Sequence, residues 1–170
     1  MPGRVSILIL AHNKVLYTDR CLRSLLRSTL RPFQVVLVNN GSTDETPEVI
    51  AAYRERAAKE GIAVEVLSFG ENIGAVEGRN RALGLLGGDY WVWLDNDVVV
   101  RTRSWLERLM AALETGRGKQ GGGGEQAPVG VVAPKLVYAN LPHDVQCAGC
   151  AVTLGGRVIF RGRGEPREAP

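Results

Sequence analysis

Strand-length apolar runs that alternate with helix-forming segments are the feature that most constrains how this chain folds. Four such runs are predicted strands, at residues 5–10, 34–38, 63–68 and 90–94. A helical pattern follows each run, at residues 16–28, 46–60, 74–86 and 104–114. Strands that are apolar along their length are buried on both faces, and helical connections favour parallel pairing with right-handed crossovers. The first part of the chain is therefore predicted to be α/β with a mostly parallel sheet.

Length and charge set the class of protein. The chain has 170 residues, of which 45% are apolar, so a single domain with its own core is expected. The net charge is only +3, and Lys and Arg are scattered along the chain, which disfavours a nucleic-acid partner. No run resembles a signal peptide or reaches the roughly 18 apolar residues of a membrane span. A cytoplasmic protein is therefore expected.

The alternating pattern stops at a glycine-rich segment, "RGKQGGGGEQA". We predict a flexible loop at 116–127, because four consecutive glycines do not hold a fixed backbone. A phosphate-binding Walker loop is the alternative, but the preceding strand and the Gly-Lys-Ser/Thr ending are missing. The short segments "VGVVAPKLVY", "CAVTL" and "RVIF" that follow are predicted to extend the sheet with mixed or antiparallel strands.

The cysteines give little indication of a metal or redox site. Cys147 and Cys150 have C-x-x-C spacing, but no second pair accompanies them. Cys21 lies on the apolar face of the first predicted helix and is interpreted as a core residue.

Polar residues follow all four predicted strands. They form clusters at 11–13, 39–44, 71–74 and 95–97. Each cluster alone is typical of a turn. Ligands of an open parallel sheet bind beyond the carboxyl ends of its strands, where these clusters meet. Together they predict a ligand site at one edge of the sheet.

The acids of "LDND" indicate which ligand this edge accepts. Asp95 and Asp97 can both turn toward one Mg²⁺ or Mn²⁺, which would keep open positions for phosphate oxygens and water. His12, Asn39 and Asn40 could then contact a base and ribose. Arg79 could balance phosphate charge. The alternative for Arg79 is a surface ion pair with Glu77 or Asp89.

Three segments resemble a known family: "VSILILAHNK", "VVLVNNGSTDETPEVI" and "ENIGAVEGRNRALGLLGGDYWVWLDNDVVV". They are similar to the nucleotide-sugar-binding half of family two glycosyltransferases with the GT-A fold, over about residues 4–113. The resemblance implies a Rossmann-like three-layer α/β/α sandwich. It also implies an inverting transferase whose donor is a nucleoside diphosphate sugar bound through a divalent cation.

The resemblance assigns residues to the donor site. Those implied to bind the nucleotide sugar are Ala11, His12, Asn13, Asn39, Asn40, Asn72, Gly74, Arg79, Asn80, Asp95 and Asn96. Asp95 and Asp97 are the implied metal residues: Asp97 binds the metal directly, and Asp95 contacts the ribose or reaches the metal through a water. Asn39 stands where the family usually has Asp, which leaves the base preference open.

The resemblance weakens after residue 113. We expect one GT-A domain over 1–170, truncated, with a partial acceptor-side half at 128–170. The family's acidic base for the acceptor hydroxyl has no match here, so the catalytic residue is unknown and the chain is expected to be too short for transfer on its own.

The expected function is sugar transfer to a saccharide or lipid-linked acceptor in cell-envelope polysaccharide or glycoconjugate synthesis. Peripheral membrane association and a homo-oligomer are both compatible with this function. One alternative is a non-catalytic nucleotide-binding or assembly module of the same fold. A nucleotidyltransferase would need a Gly-rich, basic signature after the first strand, which "AHNK" does not provide.

Overall fold

The computed structural model describes residues 3–117, 129–140 and 142–168. The chain forms two compact units, Met1–Leu106 and Glu107–Pro170. Most of the predicted loop at 116–127 lies outside the described residues. The predicted subdivision into 4–113, 116–127 and 128–170 stays a prediction.

A four-stranded parallel sheet is the centre of the first unit. Its strands, in spatial order, are β3 (Ala63–Phe69), β2 (Phe33–Asn40), β1 (Val5–Ala11) and β4 (Tyr90–Asp95). The helices are α1 (Val15–Leu25), α2 (Thr46–Lys59), α3 (Ala75–Ala82) with a short 3₁₀ extension (Leu83–Leu85), and α4 (Trp105–Arg117), which runs into the second unit. The predicted α/β class with a mostly parallel sheet is confirmed.

Both faces of the sheet are covered at the two central strands, β1 and β2. The expected burial on both faces is wrong for β3 and for β4, whose Trp91 and Trp93 are about half exposed. On one face Leu8, Val36 and Val38 form a core cluster with Ala82 and Leu86 from the α3 segment. Side chains alternate along a strand, so the equally buried residues between them point to the opposite face. There α1 and α2 pack against each other and bury their own apolar residues. The result is a three-layer α/β/α arrangement.

The second unit contains two short antiparallel ribbons. One joins β5 (Leu136–Val137) to β6 (Val145–Cys147), and the other joins β7 (Cys150–Val152) to β8 (Val158–Phe160). The expectation that these segments extend the main sheet is wrong for the residues that the structure describes, because the three sheets are separate. Each of these strands has only two or three residues, and Pro134 lacks the N–H that a longer strand at 129–138 would need.

Sequence pattern located the elements of the first unit to within a few residues. The predicted strands at 5–10, 34–38 and 90–94 end one or two residues later, at Ala11, Asn40 and Asp95, so β2 and β4 end in polar residues. The predicted helix at 16–28 ends at Leu25, and the one at 74–86 becomes a 3₁₀ turn after Ala82. Within the described ranges, no helix is both long and apolar enough to cross a membrane.

Candidate functional site

Polar residues at the strand ends lie side by side at the carboxyl edge of the sheet. Leu10 is in register with Asp95, Ala11 with Asn39, and Asn39 with Ser68. The chain passes outward from β1 to β2 and β3 and then returns to the other side of β1 with β4. The switch point of this sheet is therefore between β1 and β4, where open α/β sheets form their ligand crevice.

The loops after β1 and β2 are locked together by side-chain hydrogen bonds. The Ser42 N–H donates to Asn39 Oδ1 at 3.1 Å, and the Asn13 N–H donates to Ser42 Oγ at 3.0 Å. Asn13 Oδ1 in turn accepts from the Thr43 N–H at 2.8 Å. Asn13 has a φ of 54°, a left-handed conformation that Asn tolerates better than most residues. Both loops thus present a fixed surface beside the crevice.

Asp44 joins the N-termini of two helices. Its carboxylate accepts from the Val15 N–H at 3.0 Å and from the Thr46 N–H at 3.1 Å, the first residues of α1 and α2. Thr46 is the first helical residue of α2, and Glu45 holds its cap position without a side-chain bond. Asp44 satisfies end groups that have no partner within either helix.

Hydrogen bonding also stabilises the ionised form of Asp44. The Thr46 hydroxyl and then the backbone N–H groups of Val15 and Thr46 lower the pKa of the Asp44 carboxyl. The hydroxyl contact falls outside strict hydrogen-bond geometry. The two backbone bonds are therefore the firmer part of this cap.

Asn40 connects the end of β2 to the loop that starts α3. Its Nδ2 donates to Asn72 Oδ1 at 2.8 Å and to the Gly74 carbonyl at 3.3 Å, and its Oδ1 accepts from the Ile73 N–H at 3.1 Å. Asn72 Oδ1 also accepts from the Gly74 N–H at 2.9 Å. The backbone carbonyl of Asn40 lies 2.9 Å from His12 Nδ1, which must donate because a carbonyl only accepts. Three strand-end loops therefore meet at one residue.

Two glycines allow these elements to approach closely. A Cβ on Gly41 would lie 2.2 Å from the backbone carbon of Glu71, and its φ of +69° also disfavours other residues. A Cβ on Gly78 would lie 2.7 Å from Leu10 Cδ1, so glycine lets α3 pack onto β1. Sequence reasoning treated Gly41 as an ordinary turn residue and missed Gly78, because close backbone approach leaves no local signal.

An ion pair forms at the end of β4. Arg79 Nη2 donates to Asp95 Oδ1 at 2.6 Å, and the Arg79 side chain is 27% exposed while that of Asp95 is 68% exposed. The alternative partners that the sequence suggested for Arg79 are engaged elsewhere: Glu77 pairs with Arg81, and Asp89 accepts from a backbone N–H. Arg79 is thus held at the predicted metal motif.

The turn that follows β4 is anchored on α1. The Val98 N–H donates to the Asp95 carbonyl at 3.2 Å, which closes the turn and leaves Asp97 exposed. Asn96 Nδ2 donates to the fully buried Thr18 hydroxyl at 2.9 Å. Thr18 gave no sequence signal, because a small polar residue in a helix is usually solvated. These contacts fix the backbone that carries both acids.

Cys21 lies beneath this turn. It is fully buried, which confirms its interpretation as a core residue, and its thiol contacts the Asp95 carbonyl at 3.7 Å. Burial raises the pKa of the Cys21 thiol to about 12, and the charges of Asp97 and Asp95 add to the effect. This cysteine is therefore a neutral packing group rather than a nucleophile.

The oxygen ligands at this edge fit a hard divalent cation. Throughout the described part of the chain, no group of three or more His, Cys, Asp and Glu side chains could hold a metal ion. Asp95 and Asp97 supply two carboxylates in one exposed turn. Mg²⁺ sites of this kind take one or two carboxylates and complete their coordination with phosphate oxygens and water. The residues present therefore suit a cation that arrives with a diphosphate.

The remaining predicted residues are not all part of this network. Ala11 is buried at the end of β1, whereas Asn80 is exposed on α3. Which of the predicted residues contact a donor stays a prediction.

Comparison with known proteins gives the family. The model of glycosyl transferase family 2 matches residues 6–119. The chain belongs to this family. Its predicted resemblance is thereby confirmed.

Curated relatives are longer than this chain. An uncharacterized glycosyltransferase of Haemophilus influenzae is 28% identical over 110 residues, which are 65% of this chain and 32% of that protein. The uncharacterized glycosyltransferase EpsJ of Bacillus subtilis is 32% identical over 91 residues, 52% of this chain and 26% of that protein. The chain thus matches about a third or less of these two relatives.

Solved structures show the same fold. The mannosyltransferase PcManGT from Pyrobaculum calidifontis, in complex with GDP-Man and Mn²⁺, has a TM-score of 0.56 and 23% identity, and the match covers 61% of this chain and 30% of that one. S. aureus TarS 1-349 in complex with UDP-GlcNAc has a TM-score of 0.58 and 23% identity over 81% of this chain and 41% of that one. Both likenesses are of the fold, and the predicted GT-A arrangement is confirmed.

Proposed function

We propose that this chain is the donor-binding part of an inverting glycosyltransferase. Its donor is a nucleoside diphosphate sugar that binds with Mg²⁺ or Mn²⁺ at the carboxyl edge of the sheet. The acceptor is a saccharide or lipid-linked molecule of cell-envelope polysaccharide or glycoconjugate synthesis, on the cytoplasmic side. The observation that carries the proposal is the placement of Arg79, Asp95 and Asp97 together at the switch point of the sheet.

Charge explains why this placement suits a diphosphate. Two carboxylates and one guanidinium leave a net negative edge, which would repel a diphosphate in the absence of a cation. A divalent cation between the acids and the phosphates reverses that interaction. Arg79 is positioned to turn from Asp95 to a phosphate oxygen, since both are anionic oxygen acceptors for its planar donors. Asp97, which is exposed, is the proposed direct ligand of the cation.

The nucleoside is proposed to lie along the loops after β1 and β2. Asn39 and Asn13 hold these loops in one conformation, and His12 borders them. Asn39 is a neutral amide where the family usually has an acid. A carboxylate can only accept hydrogen bonds from a base, whereas the Asn39 amide can both donate and accept. Structural neighbours contain either GDP-Man or UDP-GlcNAc, so both bases belong in a binding screen.

The transfer step has defined chemical requirements. The acceptor hydroxyl oxygen attacks the anomeric carbon from the face opposite the diphosphate, the bond from that carbon to the diphosphate oxygen breaks, and the hydroxyl proton passes to a base. A bound cation supplies neutralisation of the charge that develops on the leaving diphosphate. Arg79 adds a positive charge on the same side. We assign no base, because Asp95 pairs with Arg79 and Asp97 would hold the cation.

A thermal-shift screen tests the binding proposal. UDP, GDP and their sugars are added with and without Mn²⁺, since a ligand of the folded state raises the melting temperature. We expect a shift that needs both the nucleoside diphosphate and the metal. If no nucleoside diphosphate shifts the transition under either condition, the donor-binding proposal is wrong.

A transfer assay separates the enzyme from a non-catalytic module. With radiolabelled donor and extracted cell acceptors, the 170 residues are expected to bind donor and at most to hydrolyse it slowly. General-base assistance is worth about 10² to 10⁴ in rate, and its loss together with lost positioning removes detectable transfer. Efficient transfer would show that a base lies within this chain. Donor binding without transfer in a longer gene product would favour the non-catalytic module.

A further inference from the structure

The Asn40 side chain is buried and has no free N–H group to offer a ligand. Asn40 is 1% exposed, both N–H groups of its amide donate within the protein, and its oxygen accepts from Ile73. Its orientation is unambiguous, because the Ile73 N–H can only donate and the Gly74 carbonyl can only accept. A nucleotide could reach this amide only by displacing partners that are already in place.

The contacts of Asn40 define the start of α3. Ile73 and Gly74 immediately precede that helix, and Gly74 is its N-cap residue with a φ of 89°. The same helix carries Arg79, five residues further along, against Asp95. The loop that Asn40 holds therefore determines where α3 begins and how the Arg79 guanidinium contacts Asp95.

We propose that Asn40 is a positioning residue, which sets the start of α3 and thereby places Arg79 at the metal motif. The expected effect on donor binding rests on the proposed function. The inference replaces the expected direct contact of Asn40 with the nucleotide. Asn40 acts through the amide clasp, which we define as the side chains of Asn40 and Asn72 with the backbone of Ile73 and Gly74.

The two members of the clasp have different chemical requirements. Asn72 uses only its oxygen, which accepts from Asn40 and from the Gly74 N–H. An aspartate at position 72 would keep both bonds. Asn40 uses its nitrogen twice, so an aspartate at position 40 would place a buried carboxylate against the oxygen of Asn72 and the carbonyl of Gly74. The same Asn→Asp change is therefore tolerated at one position and disruptive at the other.

Hydrogen exchange at Gly74 tests this asymmetry in the ligand-free protein. Asn40→Asp is expected to accelerate exchange of the Gly74 amide at least about tenfold, or about 1.4 kcal/mol, because a carboxylate at position 40 leaves buried polar groups of the clasp without partners. Asn72→Asp is expected to stay within about twofold of wild type. Equal exchange in the two variants would overturn the clasp.

A second pair of variants covers the case in which Asn40→Asp does not fold. Asn72 is exposed, so Asn72→Ala is expected to fold, yet it removes the acceptor of the Gly74 N–H. We expect at least about tenfold faster Gly74 exchange in Asn72→Ala than in Asn72→Asp. Equal protection in these two variants would also overturn the clasp.

Donor affinity separates positioning from a purely structural role. We expect calorimetry with UDP or GDP and Mn²⁺ to show at least about tenfold weaker binding for Asn40→Asp than for wild type. The measurements are made at a temperature at which each variant is folded. Asn140→Asp is the control, because it makes the same charge change at an exposed residue of the second unit. Faster Gly74 exchange with unchanged affinity would show that the clasp does not position the site. The exchange comparison needs no ligand, so it decides the clasp even if wild type binds no nucleoside diphosphate and the proposed function fails.

Discussion

Arg79 Nη2 lies 2.6 Å from Asp95 Oδ1, so the helix after β3 and the last residue of β4 meet in an ion pair at the crevice. The pair joins two segments that are separated by 16 positions in the sequence. Asp95 is largely exposed, and exposed ion pairs contribute little to folding. The pair therefore adds little to stability, and we propose that Arg79 serves ligand binding.

Replacement of Arg79 separates these two roles. Arg79→Gln is expected to change the free energy of unfolding by less than about 1 kcal/mol, but to weaken nucleoside diphosphate binding at least about tenfold. Arg81→Gln is the matched control, because Arg81 pairs with Glu77 on the same helix and lies outside the predicted site. Urea unfolding and calorimetry on both variants measure the two quantities. Equal losses of affinity in both variants would remove the specific role of Arg79.

Two glycines with the same backbone conformation test the close packing of the strand-end loops. Gly41 and Gly61 have φ values of +69° and +70°, but only at Gly41 would a Cβ meet other atoms within 4 Å. Both alanine variants carry a left-handed strain of about 1–2 kcal/mol. Gly41→Ala is expected to cost at least about 2 kcal/mol more, because its Cβ would overlap the backbone of Glu71. Equal urea midpoints for the two variants would contradict the close approach.

Tyr53 carries a buried hydroxyl that has no hydrogen-bond partner among the described residues, and burial raises the pKa of its phenol. Tyr53→Phe removes this hydroxyl and keeps the ring. The variant is expected to be more stable than wild type by about 1 kcal/mol, since an unsatisfied buried group is lost. A clear loss of stability in urea unfolding would reveal a favourable contact of the hydroxyl.

The Cys21 thiol predicts a specific pH dependence. Its pKa is raised from 9.0 to about 12 in the folded protein, so the folded state holds this proton more tightly than the unfolded state. The contribution is fully present below pH 9 and is lost as the pH rises toward 12. Between those values the free energy of unfolding should fall by up to about 1.4 kcal/mol per pH unit. Cys21→Ala should show a shallower decline, and an identical slope would contradict the burial effect.

The spacing of apolar residues and the order of strands and helices along the chain were enough to predict the sheet, because parallel strands and their connecting helices follow strong local patterns. They also predicted that the polar clusters share one edge, which depends only on strand direction. The partners within that edge were not predictable. Asp44 capping two helices, Asn96 bonding to Thr18 and Arg79 pairing with Asp95 all depend on three-dimensional proximity.

The second unit was predicted less well than the first. Its strands are two or three residues long, too short for alternation to define their pairing partners. Apolar character at 129–138 suggested one strand, but only Leu136–Val137 pairs, and Pro134 precedes it. Segments that lack a repeated pattern give no information on which sheet they join.

The most direct test of the account is calorimetry of UDP and GDP binding with and without Mn²⁺, for wild type and for Asp97→Asn. Asp144→Asn, which removes one carboxylate charge in the second unit, is the control. We predict binding to wild type and to the control that requires Mn²⁺, and at least about tenfold weaker binding to Asp97→Asn, or about 1.4 kcal/mol. Equal metal-dependent affinity in wild type and Asp97→Asn, or binding that is indifferent to Mn²⁺, would contradict a cation-bridged donor site at the end of β4.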